Sequence, residues 1–221
     1  TRSAVTREKL VRVSGEGVDG RGAIVNDAYN TYYTFSDMVL DGDATMGGSK
    51  RFDVRGVSGY VRSTGSITGS GKTLTVKNTS NFGIVNATVD LKAIVVTNGA
   101  KLRVEGNSTK WKIDEGIRMY GGGLSSYQNF IYPANLAIRV ESGANTITMD
   151  GGGVTTNNSA ITIAPGATLT QTAGDIIYNG TVNGTISMTG GNMYLGSAPM
   201  AGLTLAGSKS AGAVMLCGCG G

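Results

Sequence analysis

The chain has 221 residues, with 36 glycines, 3 prolines and no histidine, and its 19 basic and 15 acidic side chains leave a net charge of +4. That length is enough for one sizeable domain with its own core. Nothing approaches the ~18 consecutive apolar residues of a membrane span, and helix-favouring runs of Ala, Leu, Glu and Lys are almost absent.

Thr, Ser, Asn, Val and Ile dominate instead, the vocabulary of short strands joined by tight turns. Residues 1–118 carry 17 basic and 12 acidic groups, whereas 119–221 carry two and three. The basic residues of the first part alternate with acidic ones, as in Lys50-Arg51-Phe52-Asp53-Val54-Arg55. Such mixing marks a solvated strand face rather than a phosphate-tracking stripe, so nucleic acid is not an expected partner.

Residues 1–25 read as an N-terminal cap or first strands, with Thr6-Arg7-Glu8-Lys9-Leu10-Val11-Arg12-Val13 fitting either role. The start, Thr1-Arg2-Ser3-Ala4, has neither an initiator Met nor a signal peptide's apolar stretch, as expected of a processed product or a piece of a longer chain. Residues 26–216 form the next unit, and it opens on an aromatic concentration at 26–35 with Tyr29, Tyr32 and Tyr33.

Residues 65–78, "GSITGSGKTLTVKN", contain Gly-Ser-Gly-Lys-Thr. A phosphate loop needs Gly at the first of eight positions, where Ser66 stands, and must run into a helix. The chain continues instead with the period-two alternation Leu74-Thr75-Val76-Lys77, so Lys72 belongs to a turn before a strand.

This turn is the first of a series. Val96-Thr-Asn-Gly-Ala-Lys-Leu-Arg-Val-Glu-Gly106, Val140-Glu-Ser-Gly-Ala-Asn-Thr-Ile-Thr-Met-Asp-Gly151 and Ile163-Ala-Pro-Gly-Ala-Thr-Leu-Thr-Gln-Thr-Ala-Gly174 repeat one phrase. A fainter copy follows at Gly184-Thr-Ile-Ser-Met-Thr-Gly190. The unit is a Gly-centred turn followed by a short alternating strand. Its anchors Gly71, Gly99, Gly143, Gly166 and Gly184 lie 28, 44, 23 and 18 residues apart. With two units in the longest gap, the period falls in the range of stacked repeats. Such a unit cannot bury its apolar face alone and must stack on copies of itself.

The pattern therefore predicts an all-β fold, a β-solenoid with about three short strands per coil and weak or absent end caps. A β-sandwich is the competing architecture, although it does not require one phrase to recur. Leu74, Val76, Leu102, Val104, Ile147, Met149, Ile161, Ile163, Leu169 and Ile186 are expected to point inward in stacked columns.

Residues 116–135, with Tyr120, Tyr127 and Tyr132, read as an irregular excursion from one coil. Near the end, 198–205 and 212–216 are apolar and nearly uncharged, making a poor cap, and 217–221 form a Gly/Cys tail. Cys217 and Cys219 supply at most half a metal site, and a bond between cysteines one residue apart is strained, so free or intermolecular thiols are expected.

With the repeat in view, Met38-Val-Leu-Asp-Gly-Asp-Ala-Thr-Met-Gly-Gly-Ser-Lys-Arg-Phe-Asp-Val-Arg-Gly56 followed by Gly65-Ser-Ile-Thr-Gly-Ser-Gly-Lys-Thr-Leu-Thr-Val76 resembles bacterial proteins with autotransporter-associated β-strand repeats. The match covers residues 38–78 and extends beyond them only as a rhythm. The resemblance implies a right-handed parallel β-helix, exported to the bacterial surface or secreted, with a stalk, adhesin or matrix role. It implies no catalytic residue, and the chain departs from a full autotransporter in lacking a translocator barrel.

The sequence thus favours an extracellular or cell-surface structural solenoid without enzymatic activity or cofactor. Solenoid ends expose unpaired strand edges that template further strands. The expected partners are other copies of the chain, head to tail, through Leu10, Val11, Val13, Leu203, Leu205, Val214, Leu216, Cys217 and Cys219. An alternative is a carbohydrate-binding module that holds surface polysaccharide on Tyr29, Tyr32, Tyr33, Tyr120, Tyr127 and Tyr132. A polysaccharide-degrading β-helix is disfavoured: Asp37, Asp41 and Asp43 are the densest acidic cluster but read as a turn, and there is no histidine to serve as acid or base.

Overall fold

The computed structural model describes residues 10–56, 64–78, 81–106, 110–127, 133, 135–149, 160–178 and 180–195, and the backbone of 204–207 and 214–216. Leu203, Cys217, Cys219 and Tyr132 lie outside the described residues.

Among the described residues the only helical element is one short 3-10 turn at Val18–Gly20, and the rest is strand and turn. The chain opens with β1 (Leu10–Gly15), β2 (Ile24–Asn26) and β3 (Thr31–Phe35). Next come β4 (Asp37–Gly48), β5 (Phe52–Arg55), β6 (Gly65–Lys77), β7 (Phe82–Val85), β8 (Ala87–Thr97) and β9 (Lys101–Glu105). They are followed by β10 (Trp111–Ile113), β11 (Ile117–Tyr120), β12 (Gly123–Tyr127), β13 (Ile138–Ser142) and β14 (Ala144–Met149). The last are β15 (Ile161–Ile163), β16 (Thr168–Ala173), β17 (Asp175–Tyr178), β18 (Thr185–Met188), β19 (Asn192–Leu195), β20 (Thr204–Gly207) and β21 (Val214–Leu216).

One nine-stranded sheet runs β1-β4-β6-β8-β11-β13-β15, with β2 on β4 and β10 on β8. A second runs β3-β5-β7-β9-β12-β14-β16-β18-β20, and β17-β19-β21 form a third. Each strand pairs in parallel with the strand one circuit earlier, as in β5 on β7, β7 on β9 and β9 on β12. All described pairings are parallel, so the antiparallel sandwich is excluded and the arrangement is consistent with a β-solenoid.

Alternation sets the core. All ten residues expected to point inward are buried. They stack in columns, because in-register parallel pairing places like positions over one another. Ala44, Leu74, Ile94, Ile117, Ile138 and Ile161 form one column. Phe52, Phe82, Leu102, Leu124 and Ile147 form another on the second sheet, and its two rings meet edge-on at 5.1 Å between centroids.

Residues 116–127 are not an excursion. β11 and β12 pair with strands on both sides, β11 with β8 and β13 and β12 with β9 and β14. This is the unit missing from the 44-residue gap. Its turn glycine is Gly121, whose N–H donates to Ser142 O and whose carbonyl accepts from the Gly99 N–H. The copy is hard to see in the sequence because Ser126 replaces the apolar residue at its second inward position, paired between Val104 and Met149.

The stretch 65–77 is one strand, β6, with no helix after Lys72. Both β4 and β6 shift register part-way, between Val39 and Ala44 and between Gly69 and Thr73. Asp41-Gly42-Asp43 and Ser70-Gly71-Lys72 sit at these bends, where the ladder is interrupted and pairing with the same neighbour resumes beyond the corner.

Candidate functional site

Sheet alternation sends Phe52 and Val54 into the core and Arg51, Asp53 and Arg55 to the outer side of the second sheet. Two strands along, the same parity buries Leu102 and Val104 and turns Lys101, Arg103 and Glu105 outward. Asp53 pairs with Gly83, and Gly83 with Arg103. A side chain at Gly83 would collide with the Asp53 carboxylate, so glycine is what lets these charges close over β7.

The resulting network is dense. Arg51 donates to both Asp53 oxygens, from Nε at 2.8 Å and from a terminal nitrogen at 2.7 Å. Arg55 reaches Asp53 Oδ2 at 2.7 Å and Glu105 Oε1 at 3.5 Å, while Arg103 Nε donates to Glu105 Oε2 at 2.6 Å. Asp53 and Glu105 are buried, and the Arg51, Arg55 and Arg103 side chains are only 11%, 17% and 18% exposed. Arg51 is raised above the usual guanidinium range: burial pulls it down, but the hydrogen bond and charge of Asp53, with the Glu105 charge, outweigh that. This alternation was expected as a solvated face. The finding is the reverse, because three guanidiniums converge on two carboxylates and exclude water from them.

Tyrosines lie over the arginines. The Arg51 guanidinium sits 4.6 Å from the Tyr32 ring centroid, Arg55 5.2 Å from Tyr33, and Arg103 3.5 Å from Tyr127. Tyr32 and Tyr33 are neighbours in sequence, yet they are 48% and 51% exposed. The cause is a bulge: Thr31 pairs with Phe52 and Phe35 with Val54, so three residues of β3 stand opposite one of β5 and both rings are released outward.

Of the six tyrosines proposed from sequence, the structure sets three on the outer side of the second sheet, each against an arginine of the charge network: Tyr32, Tyr33 and Tyr127. Tyr120 lies on the first sheet, 5.7 Å from the Arg118 guanidinium, which donates to Glu141 at 3.1 Å. Tyr29 is 70% exposed in the turn between β2 and β3, its carbonyl accepting from Asn26 Nδ2 at 2.9 Å. Sequence reasoning missed the role of Arg51, Asp53, Arg55, Arg103 and Glu105. The available signal was opposite charge at i and i+2 on two strands that flank a glycine.

The acidic cluster is dispersed into local bonds. Asp37 accepts from Ser66 Oγ at 2.6 Å, Asp41 pairs with Arg12, and Asp43 accepts from the Thr73 N–H at 2.8 Å. Among the residues expected to mediate association, Leu10 is 61% exposed, Val11 packs against the core edge, and Val13 is buried. Leu205 lies on β20, paired with Ile186, while Val214 and Leu216 lie on β21, paired with Met193 and Leu195. Among the described residues no helix is long and apolar enough to cross a membrane. No protein-family model matches the chain, nor does any curated protein or solved structure.

Proposed function

We propose that this chain is part of an exported, non-enzymatic structural β-solenoid of the bacterial surface, a right-handed parallel β-helix that associates end to end with further copies. The reading of three strands per coil is supported by β8, whose first part pairs with β10 and second part with β11, while the second sheet would supply the third strand through β9 and β12. Right-handedness rests on the near-universal hand of parallel crossover connections within a sheet. The autotransporter-like phrases at 38–78 support export.

The observation that carries association is the state of the outermost strands. β1 and β3 end their sheets on one side, β20 and β21 on the other, and no described strand pairs with their outer edges. An unpaired edge offers a row of N–H and C=O groups to another chain. A head-to-tail contact between unlike ends does not close, so it grows a fibre.

The test is sedimentation velocity and electron microscopy on the parent, on Leu10→Lys and on a form lacking 206–221. The parent should form rods that lengthen with concentration, and both variants should keep the β circular dichroism while sedimenting as smaller species. A parent that stays monomeric at high concentration overturns the proposal.

A further inference from the structure

We infer that the outer face of the second sheet, between β3 and β12, is a binding site for an acidic polysaccharide, with hexuronate rings stacking on Tyr32, Tyr33 and Tyr127. This goes beyond the structural role proposed above and does not depend on it.

The first support is convergence. β3 and β12 are separated by three strands in the sheet, so the backbones that carry the two tyrosine groups stand roughly 19 Å apart at ~4.8 Å per strand step, and the rings lean over the arginines between them. That distance suits several linked sugar rings rather than one. Between the tyrosines, Gly83 adds no side chain and the arginines are tied to Asp53 and Glu105 by hydrogen bonds. The result is a face of paired charges flanked on both sides by aromatic rings.

The second support is rigidity. Each ring rests on a guanidinium that is itself fixed by a buried carboxylate, so the rings lose little freedom on binding. Tyrosine offers a broad apolar face together with a hydroxyl, which suits the mixed C–H and O–H surface of a sugar.

The third is charge. Arg51, Arg55, Arg103 and the exposed Lys101 on the same face outnumber Asp53 and Glu105 by two, so the face attracts anions. Because the arginines are largely committed to the two buried carboxylates, the exposed Lys101 is, among the described residues of this face, the cation placed to meet a uronate group. A carboxylated sugar satisfies both the stacking and the charge.

The experiment is affinity electrophoresis and calorimetry with polygalacturonate, using neutral dextran and dextran sulfate as comparators. Wild-type protein should bind polygalacturonate and pass dextran unretarded. The double variant Tyr32→Ala/Tyr33→Ala, whose rings are half-exposed, and Lys101→Glu should each weaken binding at least tenfold with unchanged circular dichroism. Absence of polygalacturonate binding overturns the inference, as does equal retention by dextran. Binding that Tyr32→Ala/Tyr33→Ala leaves intact, with dextran sulfate bound as well, reduces the site to bulk electrostatics and overturns it too.

Discussion

Asp53 lies on the outer side of its sheet yet has no exposed surface, because two arginines cover it. Removing one partner from a buried ionic group leaves the others uncompensated, at a cost of about 3–5 kcal/mol. The partial exposure of Arg51 and Arg55 puts Asp53→Asn near the lower end. Urea unfolding should show a loss of about 3 kcal/mol; a loss below 1 kcal/mol would mean that water already screens the cluster. Tyr178 is a second buried polar group. It is enclosed by the core, its hydroxyl donating to Gln171 Oε1 at 3.3 Å, and burial pushes its pKa up. The unfolded chain therefore ionises first: the stabilising term is intact below the unfolded value of about 10 and is lost above it, at about 1.4 kcal/mol per pH unit. Stability measured from pH 9 to 11.5 should fall more steeply for wild type than for Tyr178→Phe.

At the scale of the strand and its turn, glycines that look alike in sequence do different work. Gly99 has φ 74° with nothing within 4 Å of a would-be Cβ, so its need is purely conformational. Asparagine tolerates that left-handed conformation, and Asn98 beside it already adopts it at φ 53°. Gly184 is not among the positive-φ residues, and a Cβ there would sit 2.5 Å from the carbonyl oxygens of both Ala164 and Ala167. Gly99→Asn should thus cost under about 1 kcal/mol, while Gly184→Ala forces backbone apart and should cost more than about 2 kcal/mol in thermal or urea unfolding. The phrase that ties Gly184 to Gly99 was legible; the reason for each glycine was not, because close approach depends on a strand 17 to 30 residues away, as in Leu169 on Ile186 and Phe52 on Phe82. Asn145 shows the same limit. It occupies an inward position, accepts from the N–H groups of Gly121 and Gly122 at 2.8 and 3.0 Å, and donates to the carbonyls of Ser142 and Gly143. In the sequence it is one more turn asparagine.

For the whole molecule, the alternating strands and recurring turns were enough to predict parallel stacking and the inward columns, since both follow from period two and from repetition. The tyrosine site was only half legible. Its aromatic residues were visible, but the pairing of β5 with β7 and of β7 with β9, which gathers arginines from positions 51, 55 and 103, is a product of the stacking. That stacking also fixes how the molecule carries load. The inter-strand hydrogen bonds run from each circuit to the next, so tension along the stack pulls directly on them while the peptide bonds lie across it. A terminal strand under such tension bears on its bonds one after another rather than all together, and yields at low force. Each circuit that peels away frees the chain between paired residues, 22 residues for Leu102 to Leu124, which is roughly 75 Å of extended length. Parallel stacking of this kind is expected to act as springs in series, giving ground in steps when an end strand is pulled; stepwise extension in single-molecule force spectroscopy would check it.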